Sequence, residues 1–234
     1  MKRLILLAAA GLLIWTAGCA KENNASEWTV LFDGTHVDAW RLLNGQDFPK
    51  TGWKIQDNLL AFEPDRQRSG DIITKDQFSD FELELEFKLT SGANSGIKYF
   101  VVESASSGNA GLGLEYQLLD DDRHPDAKAG IGGNRTLGSL YDLIAPAENK
   151  IVYPVGQWNT AKIVSVGSHV EHWLNGRKIL EFERGSADFM NRIAQSKYKS
   201  IAGFGLAPAG HILLQDHGNA VYFRNIRIRT LKPR

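Results

Sequence analysis

The feature that most constrains the fold of this chain is an unbroken alternation of polar and apolar side chains from Asp80 to Leu89. Successive side chains of a β-strand point to opposite faces of a sheet, so every second residue faces the same way. The alternation gives the two faces different chemistry, with Phe81, Leu83, Leu85, Phe87 and Leu89 on one and Glu82, Glu84, Glu86 and Lys88 on the other. This pattern predicts a strand with one face in the core and one in water.

Further strands follow at short and even spacing. We predict them at Ile97–Val102, Leu112–Leu119, Thr160–Val166, His169–Leu174, Lys178–Phe182, Ala202–Leu206 and Val221–Arg229. Asn175 and Gly176 separate two of these runs and predict a two-residue hairpin turn. Only the stretch from Ser186 to Tyr198 has apolar residues at helical spacing, with Ser186 as its N-cap. So many short strands with so little helix predict a single all-β domain, either a sandwich or a barrel.

Composition narrows the classes of protein further. Hydrophobic residues make up 43% of the 234 residues, which is enough to form a core and excludes a disordered chain. Lys and Arg total 27, as do Asp and Glu, so the chain lacks the positive excess of nucleic-acid-binding proteins, and we expect no nucleic acid partner. The single cysteine, Cys19, excludes an internal disulfide and a thiolate zinc cluster.

The first residues have the features of a targeting segment. Lys2 and Arg3 precede an apolar run from Leu4 to Trp15, which is too short to span a membrane comfortably. Small residues then lead directly to Cys19, an arrangement that resembles a bacterial lipoprotein signal in which this cysteine is acylated. The alternative is an ordinary cleaved signal with an incidental cysteine.

The lipoprotein interpretation sets the expected domain boundaries and location. Residues 1–18 would be the signal peptide, residues 19–27 a polar tether, and residues 28–234 one folded domain. We expect the protein in the bacterial cell envelope, at the outer membrane or in the periplasm, held to a membrane by lipid on Cys19.

The alternation also predicts which polar side chains share a face of a sheet. In the run from Leu114 to Leu118 the apolar members point to the core, so Glu115 and Gln117 lie together on the opposite face. Lys98 likewise lies opposite its two apolar neighbours. A carboxylate, an amide and an ammonium on such faces could line a groove for a polyol. The alternative is a solvated sheet face.

Two polar loops carry candidate histidines. The loop Asp120–Asp126 contains four acids and His124, and its oxygen and imidazole groups could hold Ca²⁺ or a transition metal. It lacks EF-hand spacing, so a polar connecting loop is the alternative. The second loop, Gln215–Gly218, contains His217, which could transfer protons near neutral pH or could be an ordinary turn histidine.

Several short motifs occur in a fixed order along most of the chain. They include Leu31–Gly34, Gly70–Thr74, Asp80–Leu83, Ala93–Ile97, Glu115–Gln117, Gly156–Asn159, His172–Gly176, Leu214–Gly218 and Phe223–Ile226. Together they resemble the 3-keto-disaccharide hydrolase family, also known as DUF1080, from about Trp28 to Leu231. The resemblance implies a concanavalin A-like jelly-roll β-sandwich, and family members are often bacterial secreted proteins or lipoproteins.

The resemblance also implies a 3-keto glycoside or disaccharide as substrate. A ketone at C3 makes the C2 hydrogen acidic, so a base can remove it, the aglycone can leave from C1, and water can add to the resulting enone. We expect Glu115 or His217 as the base, Lys98 or a bound divalent metal at the ketone, and Tyr141 or His124 as the acid. Side chains that would bind sugar hydroxyls are Gln117, Asp120, Arg135 and Gln215.

Two other functions remain open at this point. One is a carbohydrate-binding, lectin-like surface lipoprotein without catalysis, since sandwich folds host both kinds of protein. The other is an ordinary hydrolase of unmodified glucans, which would place two or three catalytic acids at alternating positions of one strand. Glu82, Glu84 and Glu86 have that spacing, but we interpret them as an exposed strand face.

Overall fold

The computed structural model describes residues 26–64, 69–103 and 111–232. In chain order the strands are β1 (Thr29–Phe32), β2 (Trp40–Leu42), β3 (Trp53–Gln56), β4 (Leu59–Phe62), β5 (Ile72–Thr74), β6 (Phe81–Leu89), β7 (Asn94–Val102), β8 (Leu112–Leu119), β9 (Asn159–Val166), β10 (His169–Leu174), β11 (Arg177–Glu183), β12 (His211–Leu214) and β13 (Val221–Thr230). One α-helix, α1 (Ala187–Gln195), and one 3₁₀ helix (Pro125–Lys128) are also present in the described part.

The strands form two antiparallel sheets that pack face to face. The larger sheet has the order β11-β10-β9-β6-β13-β4-β3, with β1 also paired to β13, and the smaller sheet has the order β2-β5-β12-β7-β8. The apolar side chains of β6 are at most 5% exposed and lie in the core between the sheets. This arrangement confirms the prediction of an all-β jelly-roll sandwich with one short helix.

The predicted turn and helix start are confirmed in detail. Asn175 and Gly176 both have positive φ angles, 49° and 77°, which a tight hairpin turn between right-twisted strands requires. The Ser186 hydroxyl accepts a hydrogen bond from the backbone N–H of Phe189 at 3.2 Å, so Ser186 caps α1. The helix ends at Gln195 rather than Tyr198, because Ser196 is extended and its hydroxyl donates to the Ile193 carbonyl.

One predicted strand, Ala202–Leu206, is wrong. These residues form successive turns, in which Leu206 N–H donates to the Gly203 carbonyl at 3.1 Å. Gly203 and Gly205 have positive φ angles of 69° and 73°, a conformation that breaks an extended strand. Phe204 is nevertheless buried, because its ring stacks on Tyr198 at a centroid distance of 3.8 Å.

The β6 glutamates lie on the outer face of the larger sheet, as predicted, but they are half-buried there rather than exposed. Each pairs across the sheet with an arginine of β13: Glu82 with Arg229, Glu84 with Arg227 at 2.8 Å, and Glu86 with Arg224 at 2.6 Å. These carboxylates therefore form an ion-pair ladder on the outer face of the larger sheet.

The predicted signal peptide and Cys19 lie outside the described residues. Ser26, inside the range predicted as a tether, is already attached to the domain, because Ser26 N–H donates to the Thr230 carbonyl at 2.9 Å. Thr230 N–H in turn donates to the Ser26 hydroxyl at 2.9 Å. No helix in the described ranges has the length and apolar character needed to cross a membrane.

Candidate active site

The floor of the candidate site is the outer face of the smaller sheet. Lys98 of β7 and Glu115 of β8 are cross-strand partners, and Gly96 and Gln117 form the next pair on the same face. Leu114, Tyr116 and Leu118 point the other way and are fully buried in the core. The alternation expected from the sequence therefore places the ammonium, carboxyl and amide groups side by side.

Glu115 is a buried acid, with only 6% of the residue exposed. Its side chain lies over Gly96, where an added methyl group would come within 2.5 Å of Glu115 Oε1. The Gln117 amide nitrogen, in the orientation that satisfies both ends of the amide, donates to Glu115 Oε1 at 3.2 Å and to the Ser95 carbonyl at 3.0 Å. Burial raises the pKa of Glu115, and the positive charges of Lys98 and Lys197 oppose that rise.

One wall is built on the edge of β8 by the segment that contains Tyr141. Tyr141 N–H donates to the Glu115 carbonyl at 3.0 Å, which fixes the segment beside the strand. The Tyr141 hydroxyl donates to Asp126 Oδ2 at 2.7 Å, and Arg135 bridges Asp126 at 3.0 Å and Asp142 at 2.7 Å. Burial and the bond to Asp126 raise the pKa of the Tyr141 phenol, so it stays protonated.

Lys197, which follows α1, adds a second positive charge. Its Nζ lies 4.0 Å from the centroid of the Tyr141 ring and 5.0 Å from that of Tyr198. The residue as a whole is exposed, but its ammonium is enclosed by these rings, and this desolvation lowers the Lys197 pKa. The nearby Glu115 carboxyl opposes the effect by favouring the charged ammonium. Lys197 therefore belongs to the electrostatic environment of Glu115.

The opposite wall contains a second buried acid, Asp71, which directly precedes β5. It is 8% exposed, and desolvation raises its pKa to about 6, although Lys98 attracts the ionised form. Asp71 Oδ1 accepts a hydrogen bond from Asp216 N–H at 2.8 Å. Lys98 thus interacts with carboxyl groups on both sides, Asp71 and Glu115.

Gln215, which follows β12, lies on the same face as Gly96. Its backbone N–H donates to the Gly96 carbonyl at 3.0 Å. Its side-chain oxygen, Oε1, is buried and has no hydrogen-bond partner within the described part of the chain. A buried acceptor without a donor is costly, and a ligand hydroxyl could satisfy it.

The two candidate histidines meet at the end of the site nearest the β6–β7 turn. The rings of His124 and His217 are in edge-to-face contact, with centroids 6.1 Å apart. His217 Nε2 lies 3.5 Å from the Asn94 side-chain nitrogen, and His124 Nδ1 accepts from Asp126 N–H at 3.2 Å. The sequence placed these histidines in separate loops, and the fold brings them together.

Asp120 has a different environment from the one expected of a sugar ligand. Its two carboxylate oxygens accept hydrogen bonds from the backbone N–H groups of Gly92, at 2.7 Å, and Asp122, at 3.2 Å. These bonds fix the turn between β6 and β7 and the start of the acidic loop. The carboxylate of Asp120 is therefore directed at the backbone and away from Glu115.

The acidic loop does not gather its carboxylates around one point. Asp121 binds Leu137 N–H and the Lys150 ammonium, each at 2.7 Å, while Asp126 binds Tyr141 and Arg135. Within the described ranges, the group of acids and histidines close enough to share an ion is His169, Glu171 and Glu181, on the larger sheet. There the Lys178 ammonium already lies between the two glutamates, at 3.1 and 2.6 Å.

His172 is a core residue. It is fully buried, with Nε2 2.8 Å from the Tyr99 hydroxyl and Nδ1 3.0 Å from the Gly138 carbonyl. Burial lowers its pKa to about 4, so it is neutral at physiological pH. It supports the strands beneath the site and does not belong to the site itself.

Sequence analysis missed several members of the site. Asp71 appeared only within a motif and Asp126 only as a loop acid, although both now lie near Glu115. Lys197 carried no signal, because it belongs to the irregular segment after α1. Gly96 could have been recognised from the motif Ala93–Ile97 as a position where a neighbouring side chain approaches the backbone.

Comparison with known proteins gives a consistent result. Residues 27–229 match the model of the 3-keto-alpha-glucoside-1,2-lyase-like domain. A 3-keto-disaccharide hydrolase of Bacteroides thetaiotaomicron is 36% identical over 233 residues, covering 89% of this chain and 80% of that protein. The crystal structure of a candidate glycosyl hydrolase from Parabacteroides distasonis is 33% identical with a TM-score of 0.77, covering 88% of this chain and 94% of that one.

A more distant likeness concerns the fold alone. A Bacillus subtilis protein with a galectin-like fold is 13% identical with a TM-score of 0.56, covering 92% of this chain and 99% of that one. The sandwich is therefore shared well beyond the sequence relatives.

Proposed function

Because this chain belongs to the 3-keto-α-glucoside-1,2-lyase-like family, we propose that it cleaves the glycosidic bond of 3-keto glycosides. The observation that carries the proposal is the buried Glu115 carboxyl beside Lys98 on the outer face of the smaller sheet. Its raised pKa makes the carboxylate a stronger base than an exposed glutamate. The name of the Bacteroides relative supports the same substrate class.

The reaction we propose is an elimination followed by hydration. The base takes the C2 proton, and the C–H electron pair forms an enolate with the C3 ketone. The enolate electrons then form a C1–C2 double bond as the C1–O bond breaks, and the aglycone oxygen takes a proton. Water adds to C1 of the enone and a proton returns to C2, so the net change is hydrolysis.

The proposed roles follow from the surroundings of each group. Glu115 removes the C2 proton, and the neighbouring Lys98 ammonium stabilises the negative charge that develops on the ketone oxygen. The histidine pair, His124 and His217, supplies the proton for the leaving aglycone, because Tyr141 already directs its proton to Asp126. Tyr141 acts instead as a positioning residue that fixes the wall beside Glu115.

Sugar hydroxyls bind to the amide side chains beside Glu115 and to Arg135, which lies on the wall that contains Tyr141. The buried Oε1 of Gln215, for which the described part of the chain offers no donor, accepts one hydroxyl, and Gln117 and Arg135 contact others. Asp120 is left out of this set because its oxygens hold the backbone of the β6–β7 turn.

A pair of variants with isotopic substrates tests the proposed base. Glu115→Gln keeps the shape of the side chain, and we expect it to lower kcat for a chromogenic 3-keto glucoside roughly 10²–10⁴-fold. Glu181→Gln, an exposed glutamate on β11, is the matched control and should leave kcat unchanged. Deuterium at C2 should slow the wild-type reaction, and product formed in heavy water should carry deuterium at C2. Retention of activity by Glu115→Gln, or product without solvent deuterium, would refute the mechanism.

We further propose that the protein acts in the bacterial cell envelope as a lipoprotein anchored through Cys19. The basic start, the short apolar run and the small residues before the single cysteine support this location. The domain then begins by Ser26, so only a few residues separate the anchor from the folded sandwich.

A further inference from the structure

A cleft of about 610 Å³ lies at one end of the sandwich, between the loop that leaves β8 and the segment that precedes β9. Leu89, Leu119 and Leu137 line its base, Arg123 lines one wall and Tyr153 lines the other. Its volume is in the range of small-molecule sites in proteins, about 300–1,000 Å³. Lys98, Glu115 and Gln117 are absent from its lining. Asp120, which borders it, is five residues beyond Glu115, or about 16 Å along an extended chain.

The walls of this cleft are held in place by the fold. Asn159, which is buried, accepts a hydrogen bond from Tyr153 N–H at 2.8 Å and donates to the Tyr153 carbonyl at 3.1 Å. Gly156 N–H donates to the Leu89 carbonyl at 3.0 Å. On the other side, the carboxylates of Asp120 and Asp121 hold their loop by accepting hydrogen bonds from the backbone N–H groups of Gly92 and Leu137. The cleft is therefore preformed and requires no ligand to stay open.

Several apolar side chains in this cleft are exposed to water, although hydrogen bonds hold the backbone that carries them. Val152, Tyr153 and Val155 are 42%, 48% and 45% exposed, and the three lie together on one wall. A fixed cluster of exposed apolar side chains indicates a contact surface for a ligand. The opposite wall has polar groups, including Arg123, which donates to the Ser91 hydroxyl at 2.5 Å.

The lining matches a neutral saccharide. A pyranose ring has an apolar C–H face, which can pack on Tyr153 and the valines, and a rim of hydroxyls, which can bond Arg123 and Gln157. The lining contains three carboxylates, Asp120, Asp121 and Asp122, against one guanidinium. Lys150 pairs with Asp121 alone, so the cleft keeps a negative excess that disfavours phosphate, sulfate and uronic acid groups. We propose that this cleft is a second saccharide-binding site, outside the Lys98–Glu115 floor of the candidate active site and next to its histidine end, that holds a neutral oligosaccharide.

Titration calorimetry with maltohexaose, cellohexaose and laminarihexaose tests the proposal in the full chain. At least one should bind with a Kd of 5 mM or lower, and trigalacturonic acid should not bind. Tyr153→Ala and Gln157→Ala should each weaken that binding tenfold or more, while Tyr222→Ala, a half-buried tyrosine on the larger sheet, should not change it. Thermal unfolding should show that all three variants fold.

The same variants test whether saccharide binding in this cleft is independent of the proposed reaction. Tyr153→Ala should cleave a small 3-keto glucoside at the wild-type rate, and Glu115→Gln should bind the oligosaccharide as tightly as wild type. Failure of all three neutral oligosaccharides to bind, binding that survives Tyr153→Ala, or binding lost in Glu115→Gln would overturn the second site. None of these outcomes depends on whether 3-keto glycosides are cleaved, so the two proposals fail separately.

Discussion

Replacing Asp71 with asparagine should stabilise the fold at neutral pH, because this buried carboxyl is costly to ionise. Burial raises its pKa from 3.8 to about 6. Two pKa units at 1.36 kcal/mol each amount to about 3 kcal/mol of unfolding free energy. The side chain of asparagine has the same shape, and its oxygen can still accept the hydrogen bond from Asp216 N–H.

The sign of this effect depends on pH. Below pH 3.8 the carboxyl is protonated in both folded and unfolded chains, so its ionisation costs the fold nothing. Between pH 3.8 and about 6 the folded state holds the proton that the unfolded state has lost, so stability falls as pH rises. Above about pH 6 the folded state bears the full cost of ionising Asp71. The free energy of unfolding of Asp71→Asn should therefore exceed that of wild type only slightly at pH 4 and by about 3 kcal/mol at pH 8.

Urea unfolding at pH 4 and pH 8 measures this difference directly. At pH 8 the gain corresponds to a rise in Tm of roughly 6–12 °C for a domain of this size. Asp38→Asn is the control, because Asp38 is exposed and its replacement should change stability by less than about 0.5 kcal/mol. A gain in stability of equal size at both pH values, or a loss of stability at pH 8, would refute the claim that Asp71 is a buried acid with a raised pKa.

Three further expectations follow from other residues. Folded His172 resists protonation, so it should lower wild-type stability by up to about 3 kcal/mol as pH falls from 6.5 to 4, against the opposite contribution of Asp71, and urea unfolding of wild type and His172→Gln should show this loss as a difference between their slopes. Lys197→Met should lower kcat/KM on the order of tenfold and shift the acidic limb of the pH–rate profile to higher pH, whereas Lys199→Met should do neither. Cys19→Ser should release the protein from membrane fractions with its Tm unchanged; retention after a carbonate wash would contradict the lipid anchor.

Strands β6, β8 and β9 were predictable from the sequence because apolar and polar residues alternate along them; β6 and β9 bury one face, whereas β8 is buried on both. Regular alternation along β6, β8 and β9 produces a period of two that is visible without the structure. The short strands β1 to β5 have three or four residues each, which is too few for a period to show. Strand β12 is buried on both faces, so it does not alternate at all.

A bulge in β7 makes the alternation rule fail inside a strand that the sequence predicted. Phe100 has a positive φ of 53°, so Tyr99 and Phe100 both lie in the main core, and Val101 belongs to a smaller cluster. Alternation alone would place Tyr99 and Phe100 on opposite faces. Alternation held for Lys98, which precedes the bulge and lies on the outer face, where the structure pairs it with Glu115.

The walls of the candidate site could not be predicted, because they depend on tertiary contacts between distant segments. Asp71 precedes β5, Tyr141 lies on the edge of β8, and Lys197 follows α1. Asp120 does not share the face of Glu115 and Gln117, because it lies an odd number of residues from each; the strand ends before it, and its carboxylate binds the backbone of the β6–β7 turn. The residues of the site floor can therefore be predicted from the alternation within single strands, whereas the residues of its walls are brought together only when distant segments pack.

The most direct test of the central proposal compares two substrates that differ at one carbon. A chromogenic glucoside with a ketone at C3 has an acidic C2 hydrogen, whereas the same glucoside with an intact C3 hydroxyl does not. We expect the purified protein to cleave the 3-keto compound at least 10³-fold faster, a preference equivalent to about 4 kcal/mol in the barrier. Equal cleavage of both would indicate an ordinary glycosidase, and binding without cleavage of either would indicate a lectin; each result would contradict elimination through C2.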